Sequence, residues 1–143
     1  MILTASALAV SAAFAGAAFY VGAVEQPARL TLDDRALLTE WKPSYERGAM
    51  MQASLAIVGF LLGGAAWLFE QRPLAALGAL FIILPWPITL LLIMPTNNLL
   101  KATPEAEADA DTRALIQKWA RLHALRTIAG VAATITFITA LAF

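Results

Sequence analysis

Long apolar runs alternate with short polar segments along this chain. Ile2–Val24 carries no charge over 23 residues, Ala49–Phe69 none over 21, and Pro73–Met94 none over 22. The last run, Leu125–Phe143, contains only Arg126. A helix rises about 1.5 Å per residue and the bilayer core is about 30 Å thick, so about 20 apolar residues span it. Four such runs in 143 residues, with 60% hydrophobic composition, leave too little polar surface for a soluble shell. The pattern predicts an all-α four-helix transmembrane bundle forming one integral-membrane domain over 1–143, with spans near 2–24, 49–69, 73–94 and 124–143.

Charge gives the bundle a direction. Arg29, Arg35, Lys42 and Arg47 lie between the first two runs, and Lys101, Arg113, Lys118, Arg121 and Arg126 between the third run and the core of the fourth. Only Arg72 lies elsewhere. Lys and Arg accumulate on the cytoplasmic side of short loops. The Glu25–Gly48 and Pro95–Ala124 segments are therefore expected in the cytoplasm, with both termini and the Glu70–Gln71–Arg72 turn outside, in a membrane of inner-membrane type. The first run has no basic n-region and is too long for an h-region, so it is expected to be a retained span. Glu70, in the outer turn, is expected to matter little for stability.

The connecting segments carry helix signals of their own. Thr31-Leu32-Asp33-Asp34 reads as a helix start, Lys42-Pro43 as a break, and Pro43 as the first turn of the next helix. Thr103-Pro104 before Glu105, Glu107, Asp109 and Asp111 reads as another start, acids being favoured at the positive end of a helix dipole. Helical extensions should thus project on the cytoplasmic side. Small residues at four-residue spacing (Ala5, Ala9, Ala13 and Ala17; Gly59 and Gly63) suit close packing, within the bundle in preference to a homodimer seam. Pro85-Trp86-Pro87 should kink the third span and either shape the bundle or open a cavity, with Thr89 placed to recover a freed carbonyl.

The absence of cysteine excludes thiolate nucleophiles, disulfide chemistry, iron–sulfur clusters and Cys-based zinc sites. The single histidine excludes bis-histidine haem ligation within one chain. No metal site and no nucleic-acid partner is expected. The remaining chemistry gathers at one membrane face. Glu25 and Arg29 end the first span; Trp41, Tyr45 and, deeper, Gln52 enter the second; Asn97 ends the third; and Trp119, His123 and Arg126 enter the fourth on one helical face. Bland readings stand beside this: an interfacial His123, a snorkelling Arg126, an ion pair of Glu25 with Arg29 or Arg126, and an aromatic belt of Trp41, Tyr45 and Trp119. The belt reading is weakened because the outer side offers only Trp67.

Four strings carry a resemblance. They are E-x-P-A-R ending at Arg29, W-x-P-S-Y-x-R-G from Trp41 to Gly48, P-T-N from Pro95 to Asn97, and W-x-x-x-H-x-x-R-T from Trp119 to Thr127. Together, over essentially the whole chain, they resemble the small four-span membrane proteins named after the fungal anthrone oxygenases, a family with many bacterial members. The resemblance implies oxidation of a polycyclic anthrone to its quinone with no cofactor. An anthrone loses a benzylic proton to give an enolate that reduces O2 directly. Such chemistry needs a base, donors for developing negative charge, and an apolar slot. On that reading His123 is the base, Arg126 stabilises the enolate, and Asn97 and Tyr45 donate hydrogen bonds. Trp41, Trp86 and Trp119 wall the substrate, with Glu25, Arg29 and Gln52 in the binding set.

Two function classes follow. One is an oxidoreductase acting on a lipid-partitioning polycyclic or quinol-like molecule. The other is a non-catalytic membrane protein that binds a lipid, a quinone or a partner subunit through the same cluster. Expected partners are membrane lipid, a hydrophobic aromatic small molecule, and a second copy or another membrane subunit.

Overall fold

The computed structural model describes residues 1–143 and is built from four long helices, each apolar enough to cross a membrane: α1 (Ile2–Arg29), α2 (Asp34–Glu70), α3 (Pro73–Ala102) and α4 (Ala110–Ala142). They run up and down in sequence order. α1 packs against α2 and α4, and α3 completes the ring against the same two. Glu70, Arg72 and Ala140 meet at one end; Arg29, Asp34, Thr103 and Arg113 meet at the other, polar end.

The core is built from size complementarity. Phe14 of α1 seats against Gly130 of α4, where an added Cβ would stand 2.6 Å from its Cδ1. Phe137 of α4 seats against Gly63 of α2 and Gly78 of α3, at 2.7 and 2.8 Å by the same measure. Phenyl rings set into glycine notches bring backbones close, which matters where water supplies no drive between helices. Gly59 and Gly63 therefore pack within the chain, as expected. The alanine repeat of α1 does not. Ala5, Ala9 and Ala13 face outward, while Thr4, Ala7, Ser11, Phe14, Ala15 and Ala18 form the buried stripe. Aromatic size in Phe14 outweighed alanine spacing in choosing the packed face.

Local signals were read correctly in some places and not in others. Asp33 caps α2 by accepting from the Ala36 amide at 2.9 Å. Pro43 does not break α2, which runs unbroken for 37 residues. Proline removes the bond to the Thr39 carbonyl, but Thr39 and Pro43 are exposed, so that carbonyl keeps solvent. Leu37, Leu38 and Trp41 on the opposite face are fully buried and hold the helix straight through it. α4 begins later than the Thr103-Pro104 signal. Glu105–Glu107 forms one 3-10 turn, and Asp109 starts the helix through a capping box with Thr112.

The polar end is tied by two basic side chains. Arg113 pairs with Asp34 at 2.6 Å and donates to the carbonyls of Leu30 and Leu32, fixing the α1–α2 connector. Lys42 pairs with Glu105 at 3.0 Å and donates to the Thr103 carbonyl, fixing the α3–α4 connector. At the other end, Glu70 is not the bystander its sequence position suggested. It accepts from the Leu3 and Thr4 amides at 2.8 and 3.0 Å and from the Thr4 hydroxyl at 2.6 Å. It thereby supplies the acceptors that the first turn of α1 lacks.

Two helices depart from α geometry near the polar end. α1 widens into a π turn over Val21–Glu25, and α3 does so over Thr89–Ile93 after breaking at Leu84. Pro85 and Pro87 cannot bond the carbonyls of Phe81 and Ile83, which accounts for the break. Thr89 does not recover a freed carbonyl, since its buried hydroxyl has no partner.

Candidate functional site

Helical phase brings Trp119, His123 and Arg126 onto the buried face of α4, as their spacing requires. The π turn in α1 re-aims the next residues, and Gln26 and Arg29 are buried behind it. Entering α2 supplies Trp41, Ser44, Tyr45 and Gln52 from successive turns. The last turns of α3 supply Asn97.

Arg29 is the centre of a charge cluster. It pairs with Glu25 at 2.5 Å and donates to the Ser44 hydroxyl at 2.8 Å, and Ser44 in turn donates to Glu25. Its Nε lies 2.9 Å from Glu40 Oε2 without hydrogen-bond alignment. Glu25 thus pairs with Arg29 and not with Arg126. Glu40 was not anticipated, although it lies one turn before Ser44 on the same face of α2, a spacing that could have revealed it.

The aromatic residues are joined into one stack. Trp41 lies parallel to Tyr45 with centroids 4.8 Å apart and meets Trp119 edge-on at 5.7 Å. Trp119 stacks on His123 at 5.1 Å, and the Arg29 guanidinium lies 5.8 Å from its ring centroid. Trp41 is fully buried and Trp119 nearly so. Residues packed inside the bundle in this way do not form an interfacial belt.

His123 Nε2 lies 3.2 Å from the Ala18 carbonyl. A carbonyl only accepts, so Nε2 carries the proton of the neutral ring and Nδ1 is its basic nitrogen. Asn97 donates through Nδ2 to the Tyr45 hydroxyl at 2.9 Å. One amide N–H is thus used on Tyr45, whose own O–H remains free to donate elsewhere. Asn97 Oδ1 is buried and unpartnered.

Arg126 is 6% exposed and donates to Gln52 Oε1 at 2.9 Å. No carboxylate lies within ion-pair distance of it, and its Nε has no partner. The Phe14 ring lies 6.0 Å from its guanidinium carbon. Phe14 was missed as part of the site, because a lone aromatic in a small-residue span reads as core.

Two cavities adjoin this cluster. An apolar cleft of about 170 Å³ lies between α2 and the kinked α3, with Tyr45, Gln52, Pro85, Trp86, Thr89 and Arg126 among its walls. Its rim includes Trp86 and Leu90, which are exposed on the apolar part of α3, so it opens sideways. The proline kink does open a cavity. Behind it, a void of about 20 Å³ is lined by Arg29, Ser44, Tyr45, Gln52, Trp119, His123 and Arg126, with Val21, Gly48 and Ala49. Tyr45, Ala49, Gln52 and Arg126 face both spaces. Of the candidate residues, Trp86 lines the cleft only, and Arg29, Trp119 and His123 the void only. Trp41 and Asn97 support Tyr45 from behind, and Glu25 anchors Arg29. No three His, Asp or Glu side chains converge.

Comparison with known proteins agrees with the residue pattern. A family described as "Anthrone oxygenase" matches residues 41–136, which contain the Trp41–Gly48, Pro95–Asn97 and Trp119–Thr127 strings. An anthrone oxygenase of Claviceps purpurea (strain 20.1) is 30% identical over 148 aligned residues, covering 93% of this chain and 84% of that protein. No solved structure matches. The four helix ends that build this cluster are thus those of a family already defined by sequence, and the chain belongs to the anthrone oxygenase family.

Proposed function

We propose that this protein oxidises a flat, lipid-partitioning anthrone or related quinol-like molecule with O2, using its own side chains and no cofactor. The observation that carries this reading is Arg126: a buried arginine with no carboxylate, on the wall of an apolar cleft that opens sideways. Buried charges in spans are costly and are normally paired. A cation held unpaired beside an apolar slot suits a substrate that becomes anionic only during reaction.

In this reading the rings enter between α2 and α3 past Trp86. His123 Nδ1 takes the benzylic proton from a carbon presented at the boundary of cleft and void. Arg126 stabilises the delocalised enolate, with the Tyr45 O–H as second donor. Asn97 acts through Tyr45, as a positioning residue. The polar end faces the cytoplasm, with both termini outside, and the one-sided distribution of Lys and Arg supports that orientation. A bound neutral quinone would leave Arg126 without an anion, and a lipid phosphate, which would supply one permanently, is poorly suited to the mostly apolar lining of the cleft.

The test is purified protein in nanodiscs with a soluble anthrone, followed by quinone absorbance under air and under argon. Catalysed, O2-dependent conversion without added metal, flavin or nicotinamide is the expected result. Turnover no faster than empty nanodiscs for every anthrone and quinol tried would sink the reading. Orientation is checked by cysteines at Gln71 and Ala110: labelling of position 110 from outside intact cells would reverse it.

A further inference from the structure

We propose that the small polar void behind Arg126 is the site where O2 is held and reduced. The inference rests on the functional reading above and assigns its second reactant a place. At about 20 Å³ the void holds one molecule of one or two heavy atoms and excludes the aromatic substrate. Of its two cations, Arg29 is matched by Glu25 and Glu40, and Arg126 alone has no carboxylate partner. Arg29 and Arg126 both line the void, and each keeps a buried N–H without a protein acceptor, at Nη1 and Nε respectively. Arg29 is 3% exposed, so these donors are shielded from bulk water. His123 lines the void as well, whereas it does not line the cleft.

This arrangement suits a reaction in which one carbon is first deprotonated and then oxygenated. The substrate CH2 gives a proton to His123, leaving an enolate. One electron passes from the enolate to O2, giving superoxide and a carbon radical, and their union forms a C–O bond and a peroxide anion. The peroxide anion takes that first proton back from His123 to become a hydroperoxide, and loss of the second proton from the carbon then cleaves the O–O bond, leaving the quinone carbonyl and hydroxide. Hydroxide takes a proton to become water. In sum CH2 and O2 become C=O and H2O, with four electrons moving from carbon to oxygen. Neutral O2 gains nothing from the arginines, but superoxide and peroxide do, so the void favours the reduced forms over the resting one. Deprotonation and oxygenation act on the same carbon, and they are served from the same side of the wall formed by Tyr45, Gln52 and Arg126.

Filling the void should therefore weaken O2 and spare the aromatic substrate. Val21 lines the void and not the cleft. Val21→Leu, and independently the larger Val21→Phe, should raise KM for O2 at least fivefold, with KM for the anthrone within twofold. If neither variant folds, azide, a small linear anion, should inhibit the wild-type protein competitively against O2 and not against the anthrone. An unchanged KM for O2 in folded variants, or azide competing only with the anthrone, would overturn the void assignment while leaving the functional reading intact. A wild-type protein that oxidises no anthrone overturns that reading and removes the oxygen role with it.

Discussion

Arg126 donates to Gln52 across the bundle at 2.9 Å, and this neutral amide is the strongest partner its guanidinium has. An amide orients the fork without cancelling its charge. The site is therefore preorganised for an anion and is under electrostatic stress without one.

Replacing Arg126 should separate activity from stability. Arg126→Gln should lower kcat/KM for anthrone oxidation about 100-fold or more, the scale of losing one oxyanion donor. Arg126→Lys should recover little, because a point charge does not reproduce a planar fork. Arg126→Met should leave the melting temperature unchanged or raise it, since a buried uncompensated charge has been removed. A strong fall in melting temperature for Arg126→Met would mean that the arginine is structural.

His123 should be needed for proton abstraction and dispensable for folding. His123→Gln keeps a donor for the Ala18 carbonyl but offers no basic nitrogen. It should abolish oxidation while costing about 1 kcal/mol of stability or less, the net worth of one hydrogen bond. Retained activity in that variant would remove the base assignment.

The cluster around Arg29 should behave as one unit. Arg29→Ala leaves Glu25 and Glu40 facing each other, and should destabilise by about 2–3 kcal/mol. This is below the 3–5 kcal/mol of a fully buried pair, because both carboxylates keep some solvent. Glu25→Gln alone should cost less, since Glu40 and Ser44 still hold the guanidinium. Detergent melting of the single and double variants measures the coupling.

Packing at Phe14 should reach the site. Gly130→Ala forces its new Cβ against Phe14 and should destabilise by about 1–3 kcal/mol. Phe14→Leu in the same chain should restore much of that stability. The double variant should still show altered activity, because Phe14 also faces Arg126. Unimpaired folding of Gly130→Ala alone would show that the notch is looser than drawn.

The α3–α4 connector should loosen in acid. Lys42 holds the Glu105 carboxyl below its ordinary range, chiefly by hydrogen bonding to it. The Thr112 backbone amide and then its hydroxyl do the same for Asp109. Carboxyls depressed in the folded state stabilise it fully above their unfolded values, about 4, and lose that contribution as pH falls through the lower folded values. The hydrogen-exchange protection factors at 103–112, corrected for the intrinsic pH dependence of exchange, should therefore fall below about pH 4 and be flat between pH 6 and 8. Lys42→Met should lower the protection of this segment at neutral pH and shrink its acid dependence to the part that Asp109 carries.

Much of the architecture was legible from one dimension. Run length and the absence of charge are enough to define four spans, because lipid tolerates few alternatives to a closed helix. Fixed helical spacing placed Trp119, His123 and Arg126 on one face. Asp33 was legible as a cap, because a cap is a contact between near neighbours. The same local reasoning failed at Pro43, where buried Leu37, Leu38 and Trp41 overrode the proline, and at the alanine repeat of α1, where Phe14 chose the packed face.

What the amino-acid sequence determined by itself was periodicity: the spans, the polar end, and the residues that share a helical face. Only the tertiary structure decided the partners. It gave Glu25 to Arg29, left Arg126 with an amide, joined Asn97 to Tyr45, and made Glu70 the support of the first turn of α1. It also divided the space around Arg126 into an apolar cleft and a small polar void. The reason is physical. Periodicity comes from backbone geometry repeating every few residues. Pairing of side chains and the shape of cavities depend on separations between helices, and those are set by which ring fits which glycine notch across the bundle.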